Sequence, residues 1–271
     1  MTQGEGEIAA AVAVAGNAAR YDGQAVIVTG GTRGIGRSIA LAFLAAGADV
    51  LVCGRSRPET LPAVAGREAS FVAADIRDAA EAKGLVTAAA DRFGRLDVLV
   101  NNAGGGPVAD AATASPRFFE RVVALNLHAA FYVSQPANAV MQTQSGGGAI
   151  VNIGSVSGRR PAPGSAAYAA AKAGLVALTS SLALEWAPKV RVNHVTVGLA
   201  NTAVDAGGFY GEATAAIDAV VPMGRAALPA DVAAACLYLA SPLAGYVTGA
   251  DLEVHGGGEL PGFYVATNKN A

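Results

Sequence analysis

The chain is poor in the residues that carry metal and redox chemistry: its 271 residues include two cysteines, three histidines and one tryptophan. Cys53 ends a β-branched apolar run and Cys236 sits in an Ala-rich segment of helical period. The pair therefore reads as two reduced, buried thiols and not as a disulfide framework, which points to the cytoplasm. His128, His194 and His255 have no metal-ligand spacing to cysteines or carboxylates, so packing or capping is their expected role. Charge is sparse as well. Lys and Arg total 19 against 21 Asp and Glu, a formal net charge of -2, and no basic run exists. Neither a nucleic acid nor an acidic membrane surface is an expected partner, which leaves a small molecule. No uninterrupted apolar stretch has the length of a membrane span. The segment 8–15 is apolar but short, and Glu5 and Glu7 stand where a secretory signal would carry positive charge. Residues 1–20 are expected to form a flexible or partner-docked extension.

What is abundant is alternation. With 52% hydrophobic residues the chain can bury one large core, and residues 21–271 are expected to form a single catalytic domain. Short β-branched runs at 25–29, 49–53, 70–73, 97–101, 149–153, 190–197 and 251–254 alternate with Ala/Leu segments of helical period at 36–46, 79–93, 117–141, 166–186 and 229–239. This is the pattern of βαβ units with right-handed crossovers. It predicts an α/β fold: a Rossmann-type, doubly wound, seven-stranded parallel sheet with helices on both faces. The long irregular stretch 198–225 holds Gly207, Gly208, Gly211 and the apolar pair Phe209 and Tyr210. It is expected to be a substrate lid, or, more plainly, a surface excursion with a short helix at 213–220.

Directly after the first strand run comes Gly30-Gly31-Thr32-Arg33-Gly34-Ile35-Gly36, with a helical pattern starting inside it. Glycines there allow a tight turn and close approach of backbone to a pyrophosphate, and the helix N-terminus attracts the anion. In dinucleotide folds an acid at the end of the second strand would bind the adenosine ribose hydroxyls, but that place is held by Gly54. Arg55 beside it and Arg33 in the loop offer guanidiniums suited to a 2′-phosphate. A charge-assisted hydrogen bond contributes about 1.5 to 3 kcal/mol, so NADP(H) is expected to be preferred by roughly ten- to a hundredfold per contact, with NAD(H) possible.

Tyr168 and Lys172 lie at i and i+4, on one face of a predicted helix. Such pairs are common, but chemistry gives this one a use: a phenol titrates near about 10, and a Tyr that exchanges a proton near neutrality needs a positive charge to stabilise its phenolate. The buried run 150–153 delivers Ser155 at a carboxyl end, where ligands bind in open α/β sheets.

These motifs are linked. The spacing of Gly30, Gly34 and Gly36, the run Asn101-Asn102-Ala103-Gly104, Asn126, and Ser155 thirteen positions before Tyr168 together resemble the short-chain dehydrogenase/reductase family. The pattern is nearest to single-domain 3-oxoacyl-[acyl-carrier-protein] reductases and runs from about residue 21 to 258. Pro161-Ala162-Pro163-Gly164, Val190-Arg191-Val192-Asn193 and Tyr246-Val247-Thr248-Gly249 extend it. The resemblance implies that Ser155 holds the carbonyl oxygen, Tyr168 donates the proton, Lys172 lowers the Tyr168 pKa and binds the nicotinamide ribose, and Asn126 holds a relay water. It also implies adenine contacts at Asp75 and Ile76, cofactor contacts at Asn102, Ala103 and Gly104, carboxamide contacts at Gly198 and Thr202, and a homo-oligomer, tetramer or dimer. Three positions depart from the pattern. Gly154 replaces a usual Ser, Val197 stands before Gly198 where Pro is usual, and His255 replaces a common Asp. Arg159 and Arg160 flank the expected entrance, as a solvated pair or as a greeting for a substrate phosphate. The motifs are shared by acyl thioester, polyketide, steroid and simple ketone reductases. Two competing readings are an NAD-dependent dehydrogenase of the alcohol or hydroxysteroid type working oxidatively, and a non-catalytic NADP(H)-binding sensor.

Overall fold

The computed structural model describes residues 20–202 and 211–267. Seven strands, β1 (Ala25–Thr29), β2 (Asp49–Gly54), β3 (Ser70–Ala73), β4 (Val98–Asn101), β5 (Gly148–Ile153), β6 (Val190–Val197) and β7 (Asp251–Val254), form one sheet in the order β3-β2-β1-β4-β5-β6-β7. Every pairing in it is parallel. The helices are α1 (Gly34–Ala45), α2 (Ala79–Phe93), α3 (Pro116–Val123), α4 (Ala129–Thr143), α5 (Ala166–Trp186), α6 (Thr214–Val220), α7 (Pro229–Ala240) and α8 (Gly262–Thr267). Because successive side chains of a strand point to opposite faces, β1 feeds two cores at once. Val26 and Val28 pack with Ile39 and Phe43 of α1 and Cys236 and Leu239 of α7. Ile27 packs with Leu85 of α2, Val133 and Met141 of α4, and Leu182 of α5. Strands buried on both sides read as continuous β-branched runs, which is why the parallel sheet was visible in the sequence. This is the expected Rossmann-type doubly wound fold. Strand order reverses between β1 and β4, and the crevice at their carboxyl ends is where such sheets bind ligands.

The elements differ from the sequence expectation in instructive places. The run 117–141 is not one regular helix: a wide π-turn at Ala124–His128 separates α3 from α4. Inside it the Asn126 side-chain amide donates to the Val122 carbonyl at 2.9 Å, a local hydrogen bond of the kind that accompanies such bulges. A small hairpin, Ala63–Val64 with Arg67–Glu68, turns through Ala65 and Gly66, both with positive φ. Its strands are too short to leave a periodic signal. α8 was also not foreseen. α5 is long and apolar enough to cross a membrane by length and composition, yet one side of it buries Ala171, Lys172, Leu175, Thr179 and Leu182 in the protein. Of the expected lid, a 3-10 turn at Gly211–Ala213 and α6 are described. Residues 203–210 and the extension up to residue 19 lie outside the described residues.

Candidate active site

The glycine loop is fastened to the reversal point of the sheet. Gly30 has φ +62°, and a Cβ on Gly36 would come within 2.4 Å of both the Asn102 side-chain nitrogen and the Gly30 carbonyl, so close packing excludes a larger residue there. Asn102 Nδ2 donates to the carbonyls of Thr29 (2.9 Å) and Gly30 (3.3 Å). Thr29 Oγ1 accepts from the backbone N–H of Asn102 and Ala103, both at 3.0 Å. The ends of β1 and β4 and the loop thus form one knot. At the start of α1, Arg33 makes no side-chain cap and the first turn has no acid, which leaves the helix N-terminus open to an anion. Arg33 and Arg55 are both exposed, and Gly54 faces Thr32 across 3.8 Å as measured from a built Cβ. Thr202 returns over the loop, its carbonyl 3.8 Å from a Cβ built on Gly34. Ile35 packs against the core and Ile76 is buried. The glycine cradle and the open helix end fit a nicotinamide dinucleotide.

Asp75 lies two residues beyond β3. Its carboxylate is hydrogen-bonded by Arg77, which holds its pKa below the usual range, with a smaller contribution from Arg55. Gly198 is joined to β7 by its N–H to the Val254 carbonyl at 3.0 Å.

The chemistry-bearing residues meet beside this crevice. Ser155 follows β5 and caps the 3-10 turn Val156–Gly158, its Oγ accepting from the Ser157 N–H at 3.2 Å. Tyr168 and Lys172 rise from the first turns of α5. Lys172 is 4% exposed, its Nζ donates to the Ile153 carbonyl at 2.8 Å, and it stands 5.7 Å from the Tyr168 ring centroid. Burial pulls the Lys172 pKa down from 10.5 to about 8. Burial also pushes the Tyr168 phenol above its usual value, and the hydrogen bond with Ser155 only partly offsets this. The expected lowering of the Tyr168 pKa by Lys172 is not seen: desolvation of the phenol dominates.

Asn126 and Gly104 complete the cluster. Asn126 Oδ1 accepts from the Gly105 N–H at 2.8 Å and its Nδ2 donates to the Gly105 carbonyl at 2.9 Å. A Cβ on Gly104 would lie 2.7 Å from Asn126 Oδ1 and 3.2 Å from Lys172 Nζ. The Asn102-Ala103-Gly104 run, Asn126 and Lys172 are thus neighbours. Next to Tyr168 opens a cavity of about 420 Å³, walled by Pro107, Phe118, Phe119, Val122 and Ala167 and carrying one carboxylate, Glu120. The contribution of α3 to this wall was missed in the sequence. Its signal was the Ser115-Pro116 start, where Ser115 Oγ caps the Phe118 N–H at 3.2 Å. Arg159 and Arg160 are exposed, as a solvated pair would be, and each also meets a carboxylate: Arg159 is ion-paired with Asp251 and Arg160 with Glu259.

Fold and site together define a nicotinamide-dependent oxidoreductase on a dinucleotide-binding sheet. Residues 30–259 match a protein family described as enoyl-(acyl carrier protein) reductase. The chain is 40% identical over 250 residues to 3beta-hydroxysteroid dehydrogenase 1 of Eggerthella lenta, covering 89% of this chain and 96% of the relative. It is 37% identical over 240 residues to a Streptomyces violaceoruber protein named as ketoacyl reductase 2 of the granaticin polyketide synthase, covering 86% and 95%. A solved short-chain dehydrogenase/reductase of Serratia marcescens, a double mutant, superposes with a TM-score of 0.80 at 33% identity, covering 87% of this chain and 98% of that one. The chain belongs to the short-chain dehydrogenase/reductase family, oxidoreductases that act on CH–OH donors with a nicotinamide cofactor.

Proposed function

We propose that this enzyme interconverts a hydrophobic ketone and its secondary alcohol, with NADP(H) preferred over NAD(H). The observation that carries the reading is the meeting of the Ser155 hydroxyl, the Tyr168 phenol and the Lys172 ammonium beside an apolar cavity at the carboxyl end of β5. When bound, the nicotinamide supplies the hydride or accepts it. Ser155 hydrogen-bonds the reacting oxygen. Tyr168 donates its hydroxyl proton to that oxygen as the alcohol forms, and takes it back in the reverse direction. Lys172, held by the Ile153 carbonyl, supplies positive charge beside the phenol and a donor for the nicotinamide ribose. Asn126 holds Gly105 and so fixes the backbone that runs beside Lys172.

Arg33 and Arg55, with no acid at Gly54, support the NADP(H) preference. The apolar lining favours a hydrophobic ketone. We place the enzyme in the cytoplasm as a homo-oligomer, with residues 21–271 as one catalytic domain that includes a substrate loop at about 198–225.

The test is coenzyme oxidation with NADPH and NADH against a panel containing trans-1-decalone, a 3-ketosteroid and a 3-oxoacyl N-acetylcysteamine thioester. NADPH-dependent reduction of the cyclic ketones, lost in Tyr168→Phe, is the expected result. Preference for NADH, or activity on the thioester alone, would overturn the respective part of the reading.

A further inference from the structure

We infer that Asp251 is a positioning residue for Ser155: through His194 on one side and Arg159 on the other, this single carboxylate holds both ends of the turn that carries the hydroxyl. Ser155 sits between Gly154, whose N–H donates to the Val195 carbonyl at 2.7 Å, and the 3-10 turn Val156–Gly158. The His194 ring fills the space in front of Gly154. A Cβ at position 154 would lie 2.0 Å from Cε1 and 2.1 Å from Nε2 of that ring. This is why glycine stands at 154, where the family pattern has serine.

His194 is 1% exposed, and its Nδ1 donates to Asp251 at 2.7 Å, since a carboxylate can only accept. Its Nε2 is buried without a partner, so the ring acts as a buttress and not as a second donor. Thr196 Oγ1 donates to the same carboxylate at 2.8 Å. On the far side of Ser155, the chain leaves the turn at Arg159, whose Nε donates to Asp251 at 3.1 Å. The turn itself rests on the helix that carries the other reacting groups: a Cβ on Gly158 would come within 2.8 Å of the Lys172 carbonyl carbon and the Ala173 nitrogen.

The clamp therefore sets the height of Ser155 relative to Tyr168 and Lys172. The coenzyme knot of Thr29, Gly30 and Asn102 lies on the other side of β5 and shares none of these contacts. Burial alone would raise the Asp251 pKa, but the hydrogen bonds from His194, Arg159 and Thr196 outweigh it and hold the carboxyl well below its usual range, so the clamp stays charged.

This inference rests on the roles proposed above for Ser155 and Tyr168, and its test has an arm that needs no substrate. Asp251→Ala and Arg159→Gln are compared with the wild type for reduction of trans-1-decalone, for NADPH binding, and for ionisation of Tyr168 read as the phenolate absorbance that Tyr168→Phe removes. Asp251→Ala is expected to lower kcat by roughly tenfold or more while leaving NADPH affinity within about twofold, as a misplaced group would. Arg159→Gln, at the exposed end of the clamp, gives a smaller loss of the same kind and serves where Asp251→Ala does not fold. In both, the Tyr168 ionisation moves to higher pH because the Ser155 hydrogen bond is loosened. Wild-type kcat and an unmoved Tyr168 ionisation in a folded Arg159→Gln or Asp251→Ala protein would overturn the clamp. So would a loss of kcat matched by an equal loss of NADPH binding. If the wild type reduces no ketone, the functional reading fails, and the Tyr168 titration still decides the clamp.

Discussion

Raising the pH is predicted to stabilise this protein through Lys172. Its ammonium is buried and donates to the Ile153 carbonyl, and burial lowers its pKa from 10.5 to about 8. In the unfolded chain the amine keeps its ordinary value, so below about pH 8 both states carry the proton and the folded state bears the whole burial penalty. Between the folded and unfolded values the unfolded chain binds more protons, and stability must therefore rise with pH. The fall from 10.5 to about 8 corresponds to about 3 kcal/mol in total. About 2 kcal/mol of this is recovered between roughly pH 7 and roughly pH 9.5. Urea unfolding of wild type and Lys172→Met at both pH values isolates the effect, because the other titrating groups are common to the two proteins. The wild type should gain about 2 kcal/mol relative to the variant as the pH rises. A gap that stays constant would refute the claim that the buried amine is held at a lowered pKa.

Other outcomes follow from the same contacts. Arg33→Ala and Arg55→Ala should each weaken NADPH binding by roughly tenfold or more and leave NADH binding nearly unchanged, as read by fluorescence titration. Gly36→Ala places a methyl 2.4 Å from a backbone carbonyl and the Asn102 amide. It should cost about 1 to 3 kcal/mol in unfolding experiments and lower affinity for both coenzymes. Phe43→Ala removes a fully buried ring stacked edge-on against Tyr21, with centroids 4.9 Å apart. A loss of about 3 to 5 kcal/mol is expected, with turnover of the folded fraction unchanged.

The parts of the fold that were legible in the sequence are those written in local patterns. α2 runs over 79–93 as expected because Asp78 caps two N–H groups at its start and Gly94 turns out of it with φ +72°. β1, β3 and β6 likewise have their expected bounds, and in β1, buried throughout, the signal is an unbroken apolar run. The cluster of Ser155, Tyr168 and Lys172 was legible because two of its members share one helix and the third ends a strand. What stayed hidden depends on contacts between distant parts of the chain. Arg159 and Arg160 read as solvated because their partners, Asp251 and Glu259, lie 92 and 99 residues away. Gly154 read as an unexplained departure because the ring that requires it comes from β6. The π-turn at Asn126 was invisible, since a single extra residue in a helical turn barely alters the hydrophobic period. The raised pKa of Tyr168 follows from the depth of the site, which no spacing reports.

The most direct test of the account is single-turnover reduction of trans-1-decalone by the NADPH complex, comparing the wild type with Tyr168→Phe. The account predicts that the variant binds NADPH normally but transfers hydride more slowly by roughly a hundred- to ten-thousandfold, the worth of a positioned proton donor. Hydride transfer at the wild-type rate in Tyr168→Phe would contradict it.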